Sequence, residues 1–207
     1  NKRANEVKGL TDIPFLPISF FKTKRIITNE KETQEVFTSS GTGKDGTSKH
    51  FVAELKLYEQ SFLEGFRKFY GPIEDYCVLA LLPSYLERTG SSLVYMTKRM
   101  IELSKDLDSG FYLDDHKGMQ KVLLKKIEEK SKVLLLGVSF GLLEFAESFD
   151  LPQSDIVVME TGGMKGRRKE MVREEVHAVL TSKLGVKSIH SEYGMTEILS
   201  QAYSQGL

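Results

Sequence analysis

The stretch Val133-Leu134-Leu135-Leu136, together with the residues that follow it, decides the fold class of this chain. Four apolar residues in succession predict a short strand that is buried on both faces. Residues 137–149 then show the spacing of a helix, so a buried strand passes directly into a helix. Repeated strand–helix units of this kind build α/β domains with a largely parallel sheet.

The same alternation continues outward in both directions along the chain. Further strands are predicted at residues 32–38, 76–82, 156–159 and 187–190. Further helices are predicted at residues 53–70, 91–103, 117–130 and 168–184, with Asp114 or Asp115 as the cap of the third. The sequence therefore predicts an α/β fold, with a mostly parallel sheet flanked by helices.

The first part of the chain is less regular. Ile13-Pro14-Phe15-Leu16-Pro17 contains two prolines, which predict an extended or turn-rich segment. We divide the chain into residues 1–37, an extended or helical segment that leads into the domain, and residues 38–207, the α/β domain itself. The first residue is Asn1 and the last residues look like an interruption, so we expect a piece of a longer protein.

Composition and charge exclude several classes of function. The 207 residues carry 29 Lys plus Arg and 29 Asp plus Glu, so the formal net charge is zero with His neutral. A chain without net charge does not attract nucleic acid or an anionic membrane through its overall field. No run reaches the roughly 20 apolar residues that a membrane-spanning helix needs. The single cysteine, Cys77, cannot form an internal disulfide, which favours a cytoplasmic location.

The first loop that suits chemistry follows the predicted strand at 32–38. It reads Thr38-Ser39-Ser40-Gly41-Thr42-Gly43-Lys44-Asp45-Gly46-Thr47-Ser48-Lys49. Glycines let backbone N–H groups point at an anion, hydroxyl groups add donors and Lys49 adds positive charge, which together suit a polyphosphate. Gly41 and Gly46 have the spacing of a Walker P-loop, but Thr47 stands where its lysine belongs, which argues against a P-loop NTPase. A flexible surface loop would have a similar composition.

Two more groups of polar residues follow predicted strands. In Glu160-Thr161-Gly162-Gly163-Met164, the paired glycines would let a flat ligand lie close to the backbone. The basic residues at 165–169 suit either a phosphate or a solvated face. Tyr193-Gly194-Met195-Thr196-Glu197 offers an aromatic ring, a hydroxyl and a carboxylate that could hold Mg²⁺. Ligands of open α/β sheets bind outside the carboxyl ends of the strands, so we expect these groups to share one site.

This ordered trio resembles the adenylate-forming superfamily of acyl- and aryl-CoA synthetases. Thr38-Ser39-Ser40-Gly41-Thr42, Ile13-Pro14-Phe15-Leu16-Pro17 and Thr161-Gly162-Gly163-Met164-Lys165 are most similar to the LuxE-type acyl-protein synthetases. The resemblance implies the large, nucleotide- and acyl-binding domain of such an enzyme. It implies activation of a long-chain fatty acid by ATP and Mg²⁺ to an acyl-adenylate, followed by transfer to a protein thiol. The partner implied is a reductase subunit that makes the aldehyde.

The resemblance also implies a role for individual residues. Ser39, Ser40, Gly41, Thr42 and Lys49 would hold the β and γ phosphates. Gly162 and Gly163 would lie against the adenine, and Tyr193, followed by Gly194, would stack on its face. Thr196 would bond the α-phosphate and Glu197 would bind Mg²⁺, so Thr196, Glu197 and Lys49 are the expected catalytic residues. The acyl pocket is expected near residues 82–85 and 90–93.

The chain departs from the family at two places. Gly46-Thr47-Ser48-Lys49 has a serine where the family has a proline. The family's ribose-binding Asp and catalytic Lys lie beyond the Tyr-Gly-x-Thr-Glu motif, so we expect a C-terminal part to be missing. Cys77 lies within an apolar run, which favours a buried, inert thiol over an acyl acceptor. The alternative functions are an acyl- or aryl-CoA ligase of the same superfamily and a non-catalytic nucleotide- or acyl-binding module.

Overall fold

A six-stranded sheet forms the centre of the protein. The computed structural model describes residues 6–27, 32–39, 46–82, 89–163 and 170–206. The strands in chain order are β1 (Glu35–Thr38), β2 (Lys49–Val52), β3 (Cys77–Leu81), β4 (Gly110–Phe111), β5 (Val133–Val138), β6 (Val157–Thr161), β7 (His190–Met195) and β8 (Ser200–Ser204). The central sheet has the order β4-β3-β5-β6-β7-β8, and β1 and β2 form a separate antiparallel hairpin. All neighbouring strands of the central sheet are parallel except β7 and β8. The predicted α/β class with a mostly parallel sheet is therefore confirmed.

Helices cover both faces of this sheet. They are α1 (Phe20–Thr23), α2 (Leu55–Tyr70), α3 (Ser92–Leu103), α4 (His116–Glu128), α5 (Ser139–Ser148) and α6 (Arg173–Leu184), with short 3₁₀ turns at Leu10–Asp12 and Ile73–Asp75. One apolar cluster joins the sheet to α4, α5 and α6, and a second joins it to α2, α3 and the β1–β2 hairpin. No helix in the described ranges is both long and apolar enough to cross a membrane.

The central strand β5 shows why these residues form a three-layered domain. All six of its residues are buried. Successive strand side chains point to opposite faces. Val133 and Leu135 accordingly pack in the cluster with α4–α6, while Leu134 and Leu136 pack in the cluster with α2 and α3. An unbroken apolar run is thus what a strand covered on both sides requires.

The helices follow the apolar stripes of the sequence. In α2, Tyr58, Phe62 and Phe66 are buried and recur at a spacing of four residues, which places them on one face. Asp115 caps α4, because its carboxylate accepts a hydrogen bond of 2.9 Å from the Gly118 N–H. The structure therefore selects Asp115 rather than Asp114 as the capping residue.

Two boundaries near the C-terminal half differ from the sequence expectation. Helix α6 begins at Arg173 rather than at residue 168, and the Glu175 carboxylate accepts a hydrogen bond from the Val172 N–H at its start. The last predicted strand, 187–190, was placed three residues too early. Val186 and Ile189 pack in the core ahead of β7, which begins only at His190 and continues to Met195. Strand β8 pairs with it and was missed, because its residues alternate without a strong apolar face.

Candidate functional site

Polar side chains collect where β6 and β7 reach the carboxyl edge of the sheet. Glu160 lies opposite Ser191, and Thr161 lies opposite Glu192. All four residues are buried. Neighbouring residues of a strand face opposite sides, so these two cross-strand pairs divide between the two faces of the sheet. The edge therefore carries two polar centres, one on each face.

The centre on the α5–α6 face is built around the carboxylate of Glu160. Ser139 Oγ donates to its Oε2 at 2.8 Å, and Ser191 Oγ donates to its Oε1 at 2.8 Å. The Arg173 guanidinium lies 3.6 Å from Oε1 and also donates to Ser191 Oγ. His177 Nε2 lies 3.7 Å from the same oxygen. A buried carboxylate is tolerated when it has hydrogen bonds and a nearby cation, and Glu160 has both.

A pocket of about 480 Å³ opens beside this centre. Gly162, Gly163 and Tyr193, three of the residues expected to bind the nucleotide, all contribute to its lining. Gly162 has φ of +72°, a conformation that glycine adopts without strain. A Cβ on Gly163 would meet no atom within 4 Å, so the backbone here is open to a ligand. The ring of Tyr193 is 66% exposed and available for stacking.

The centre on the α2–α3 face is the carboxylate of Glu192. Only 5% of this residue is exposed, and Thr161 Oγ1 donates to its Oε2 at 2.7 Å. No Lys, Arg or His within the described ranges forms an ion pair with it. Burial raises the pKa of Glu192 to about 7, the hydrogen bond from Thr161 opposes the rise, and the negative charge of Glu160 adds to it. This carboxyl group is therefore poised to exchange a proton near neutral pH.

A second pocket, of about 220 Å³, opens over Glu192. Its lining comes from four separate parts of the chain and is rich in hydroxyl groups. The polar residues are Thr38, Thr89, Ser91, Ser92, Thr161, Glu192, Tyr193, Thr196 and Gln201. Gly162, Glu192 and Tyr193 line this pocket as well as the larger one, so the two pockets adjoin at the sheet edge.

The turn between β7 and β8 carries Thr196 and Glu197. Thr196 Oγ1 lies 3.3 Å from Ser92 Oγ, which brings it into the smaller pocket. His50 fastens the turn to β2, because its Nδ1–H donates to the carbonyl oxygens of Glu197 at 2.7 Å and Thr196 at 3.1 Å. The side chain of Glu197 is half-buried and does not contribute to the lining of the pocket.

The Ser/Thr/Gly segment joins β1 to β2. Ser39 and Ser48 close it with two hydrogen bonds of 3.0 Å, one through the Ser39 hydroxyl and one through the backbone. The Thr38 N–H donates to the carbonyl oxygen of Gly90 at 2.7 Å, which holds this hairpin beside the smaller pocket. Lys49 was expected in the loop, but it begins β2, opposite Thr38, and is exposed. Ser40, Gly41 and Thr42 lie outside the described residues.

Tyr193 and Gly194 were also expected in a loop after the last strand, and this was wrong. Both lie within β7, where Gly194 is opposite Gln201 of β8. Only Thr196 and Glu197 belong to the following turn. The motif therefore straddles the end of a strand, because pairing with β8 extends β7 beyond its apolar residues.

Sequence reasoning assigned no role to Glu192, and it placed Ser92 only in the expected acyl pocket. A signal for Glu192 was present, since a carboxylate directly precedes Tyr193. Its significance depends on which face of β7 it occupies and on the absence of a nearby cation among the described residues, and neither can be read along the chain. Ser92 comes from α3, and only the packing of α3 against the β7–β8 turn brings it to Thr196.

Cys77 and His190 are structural in this fold. Cys77 is buried in β3, and burial raises the pKa of its thiol to about 12, so the thiol is neither accessible nor ionised at neutral pH. His190 Nδ1 lies 3.1 Å from the Tyr70 hydroxyl, and burial lowers the pKa of the imidazole. The expected inert thiol is confirmed by this burial.

An apolar pocket of about 540 Å³ lies outside the polar edge, between α1, β2 and α2. Phe21, Ile26, Leu57 and Ile198 are among its lining residues. The acyl pocket expected near residues 82–85 and 90–93 falls partly outside the described residues. Of that expected segment, Ser91, Ser92 and Leu93 line the smaller polar pocket instead.

The described residues contain no group of three His, Cys, Asp or Glu side chains that could hold a metal ion by themselves. Mg²⁺ differs from structural metals in this respect, since it is commonly held by one or two carboxylates together with substrate phosphates.

Comparisons with models of known protein families and with curated proteins found no match for this chain.

Proposed function

We propose that the chain is the large α/β domain of an adenylate-forming acyl-protein synthetase. The reaction is the activation of a fatty acid by ATP, followed by transfer of the acyl group to a protein thiol. The observation that carries this proposal is the convergence of three separate segments, around Thr38, Gly162 and Thr196, on adjoining pockets. Their order in the chain and their position at the carboxyl edge of the sheet suit a nucleotide and an acid bound side by side.

In the first step, a carboxylate oxygen of the acid attacks the α-phosphorus of ATP. The bond from that phosphorus to the oxygen bridging the β-phosphate breaks, and pyrophosphate leaves with the electron pair. In the second step a thiolate attacks the acyl carbonyl and AMP leaves. Hydroxyl and backbone donors that already point at the phosphate lower the barrier, because they need no reorganisation as charge develops.

Different groups of the described residues suit different parts of the nucleotide. The larger pocket offers an open backbone at Gly162–Gly163 and an exposed ring at Tyr193, which suit a flat base. The smaller pocket holds Thr196, whose hydroxyl would donate to the α-phosphate. The hairpin at Ser39, with Lys49 on the neighbouring strand, would hold the outer phosphates.

Glu197 is the residue that would hold Mg²⁺. A single carboxylate suits a Mg²⁺ ion that arrives with the nucleotide, because the phosphate oxygens can complete the coordination shell of the ion. When bound, Mg²⁺ would offset the negative charge of the phosphate oxygens. What supports this role is the position of Glu197 directly after Thr196 in the β7–β8 turn, since its half-buried side chain lines neither polar pocket.

The test is the exchange of labelled pyrophosphate into ATP, measured on the full-length protein with and without a fatty acid. We expect acid-dependent exchange, and its loss in Glu197→Gln without a change in folding. Glu128→Gln, at the exposed end of α4, is the matched control. No acid-dependent exchange in the wild type would reject the enzyme and favour a binding module. Release of labelled acyl-CoA, instead of label on protein, would favour a CoA ligase.

A further inference from the structure

Glu192 has an environment unlike that of the other buried carboxylate at the sheet edge. Glu160 has two hydroxyl donors and the Arg173 guanidinium, so its negative charge is compensated. Glu192 has one donor, Thr161 Oγ1, and no cation among the described residues. Buried charge without compensation is costly, and the protonated form is then favoured. The two carboxyl groups thus differ in how well their surroundings compensate a negative charge.

The titratable groups that interact with Glu192 come from three elements. Tyr58 belongs to α2, Tyr203 to β8 and Glu160 to β6. Burial, and then the Glu192 carboxylate, raise the pKa of both phenols above the usual value, so these groups stay neutral. Glu160 carries a negative charge that disfavours a second charge on Glu192. Glu160 therefore favours a neutral Glu192, and the neutral phenols offer no positive charge that would compensate an ionised one.

Gly194 leaves space for the second oxygen of this carboxyl group. A Cβ on Gly194 would lie 2.8 Å from Glu192 Oε1, closer than such atoms approach in proteins. Both residues line the pocket of about 220 Å³. Since Thr161 is bonded to Oε2, Oε1 is the atom left for a molecule in the pocket. Thr196 lies in the same lining, at the place proposed for the α-phosphate.

We propose that protonated Glu192 binds the carboxylate of the acid substrate by donating a hydrogen bond to it. Two carboxyl groups that share one proton attract each other, whereas two ionised groups at this distance repel. The smaller pocket then receives the carboxyl end of an anionic acid beside Thr196. This inference rests on the proposed function for the identity of the acid, although the binding itself can be measured without ATP.

We predict that the affinity of this pocket for a carboxylate falls as the pH rises. Octanoate is the probe, and it is ionised throughout the range used. With half-protonation of Glu192 near neutral pH, the affinity for octanoate should fall about tenfold between pH 6 and pH 8. Titration calorimetry on the full-length protein measures this directly. In buffers of different ionisation enthalpy it should also show uptake of about one proton per octanoate bound at pH 8.

Three comparisons make the test decisive. Glu192→Gln keeps a donor that does not titrate, so it should bind octanoate with little dependence on pH. Thr161→Val removes the hydrogen bond that favours the ionised form, so the fall in affinity should move to higher pH. Octylamine is the matched cationic probe and should not bind more tightly than octanoate at pH 6. Thermal unfolding of both variants reports whether they remain folded.

Some outcomes would overturn the inference. Wild-type affinity that is equal at pH 6 and pH 8, the same fall in Glu192→Gln, or preferential binding of octylamine would each exclude a protonated Glu192 as the carboxylate ligand. Failure of the proposed function is distinguishable. In that case octanoate binding would follow Glu192 as predicted, but fatty acids would cause no pyrophosphate exchange.

Discussion

Glu192 makes the stability of the protein depend on pH, and one substitution should remove that dependence. Burial raises the pKa of its carboxyl from 4.5 to about 7. Between these values the folded state holds a proton that the unfolded state has lost. Stability contributed by this group is therefore complete below the lower value and is lost as the pH rises through the window. The direction is opposite to that of a carboxylate held by a salt bridge.

The size of the effect follows from the shift. At a pH where Glu192 is ionised in both the folded and the unfolded protein, a pKa raised from 4.5 to about 7 corresponds to a loss of about 3 kcal/mol in the free energy of unfolding, relative to low pH. Between pH 5 and pH 8 the loss amounts to about 2.5 kcal/mol. Glu192→Gln has no titratable group and keeps the shape of the side chain. Its stability relative to the wild type should therefore rise by about 2.5 kcal/mol over that interval.

Urea unfolding followed by circular dichroism measures this difference across the pH series. The dependence of the unfolding free energy on urea should be equal for the two proteins, which shows that they expose the same surface. Glu128→Gln, an exposed substitution on α4, should follow the wild type at every pH. A difference between wild type and Glu192→Gln that is the same at pH 5 and pH 8 would refute the reasoning.

Three further substitutions test the packing and the site. Gly194→Ala places a Cβ 2.8 Å from the buried Glu192 carboxyl group of the same strand and should lower the unfolding free energy by about 1–3 kcal/mol in urea, whereas Gly110→Ala, which meets nothing within 4 Å, should not. Phe62→Ala removes a fully buried ring and should lower the unfolding free energy by about 3–5 kcal/mol in urea. Asp115→Ala should cost about 1 kcal/mol through loss of the α4 cap, and Asp114→Ala should cost much less.

Much of the fold could be predicted because burial on both faces leaves a simple pattern. Four strands of the sheet, β3, β5, β6 and β7, were expected at or near their positions. β4 and β8 were missed, since β4 has two residues and β8 is an edge strand without a continuous apolar face. The start of α6 was placed five residues early, because a run of charged residues is compatible with either a helix or a loop.

The site was predictable in its parts and not in its geometry. Gly162, Gly163 and Tyr193 could be expected together because parallel strands end at one edge, and they line one pocket. Lys49 could not be placed correctly, since the length of the β1–β2 hairpin depends on pairing between distant backbones. The sequence motif also does not reveal that Tyr193 lies in a strand.

The sequence by itself determined the α/β class, the order of the strand–helix units and the three polar groups at the strand ends, because these follow from local periodicity. Only the tertiary structure decided that Glu160 and Glu192 lie on opposite faces of the sheet. Glu160 lies beside Arg173 of α6, while Glu192 interacts with the phenols of Tyr58 from α2 and Tyr203 from β8. The charge of a buried carboxyl group depends on the groups around it in space, and those groups come from residues far apart in the chain.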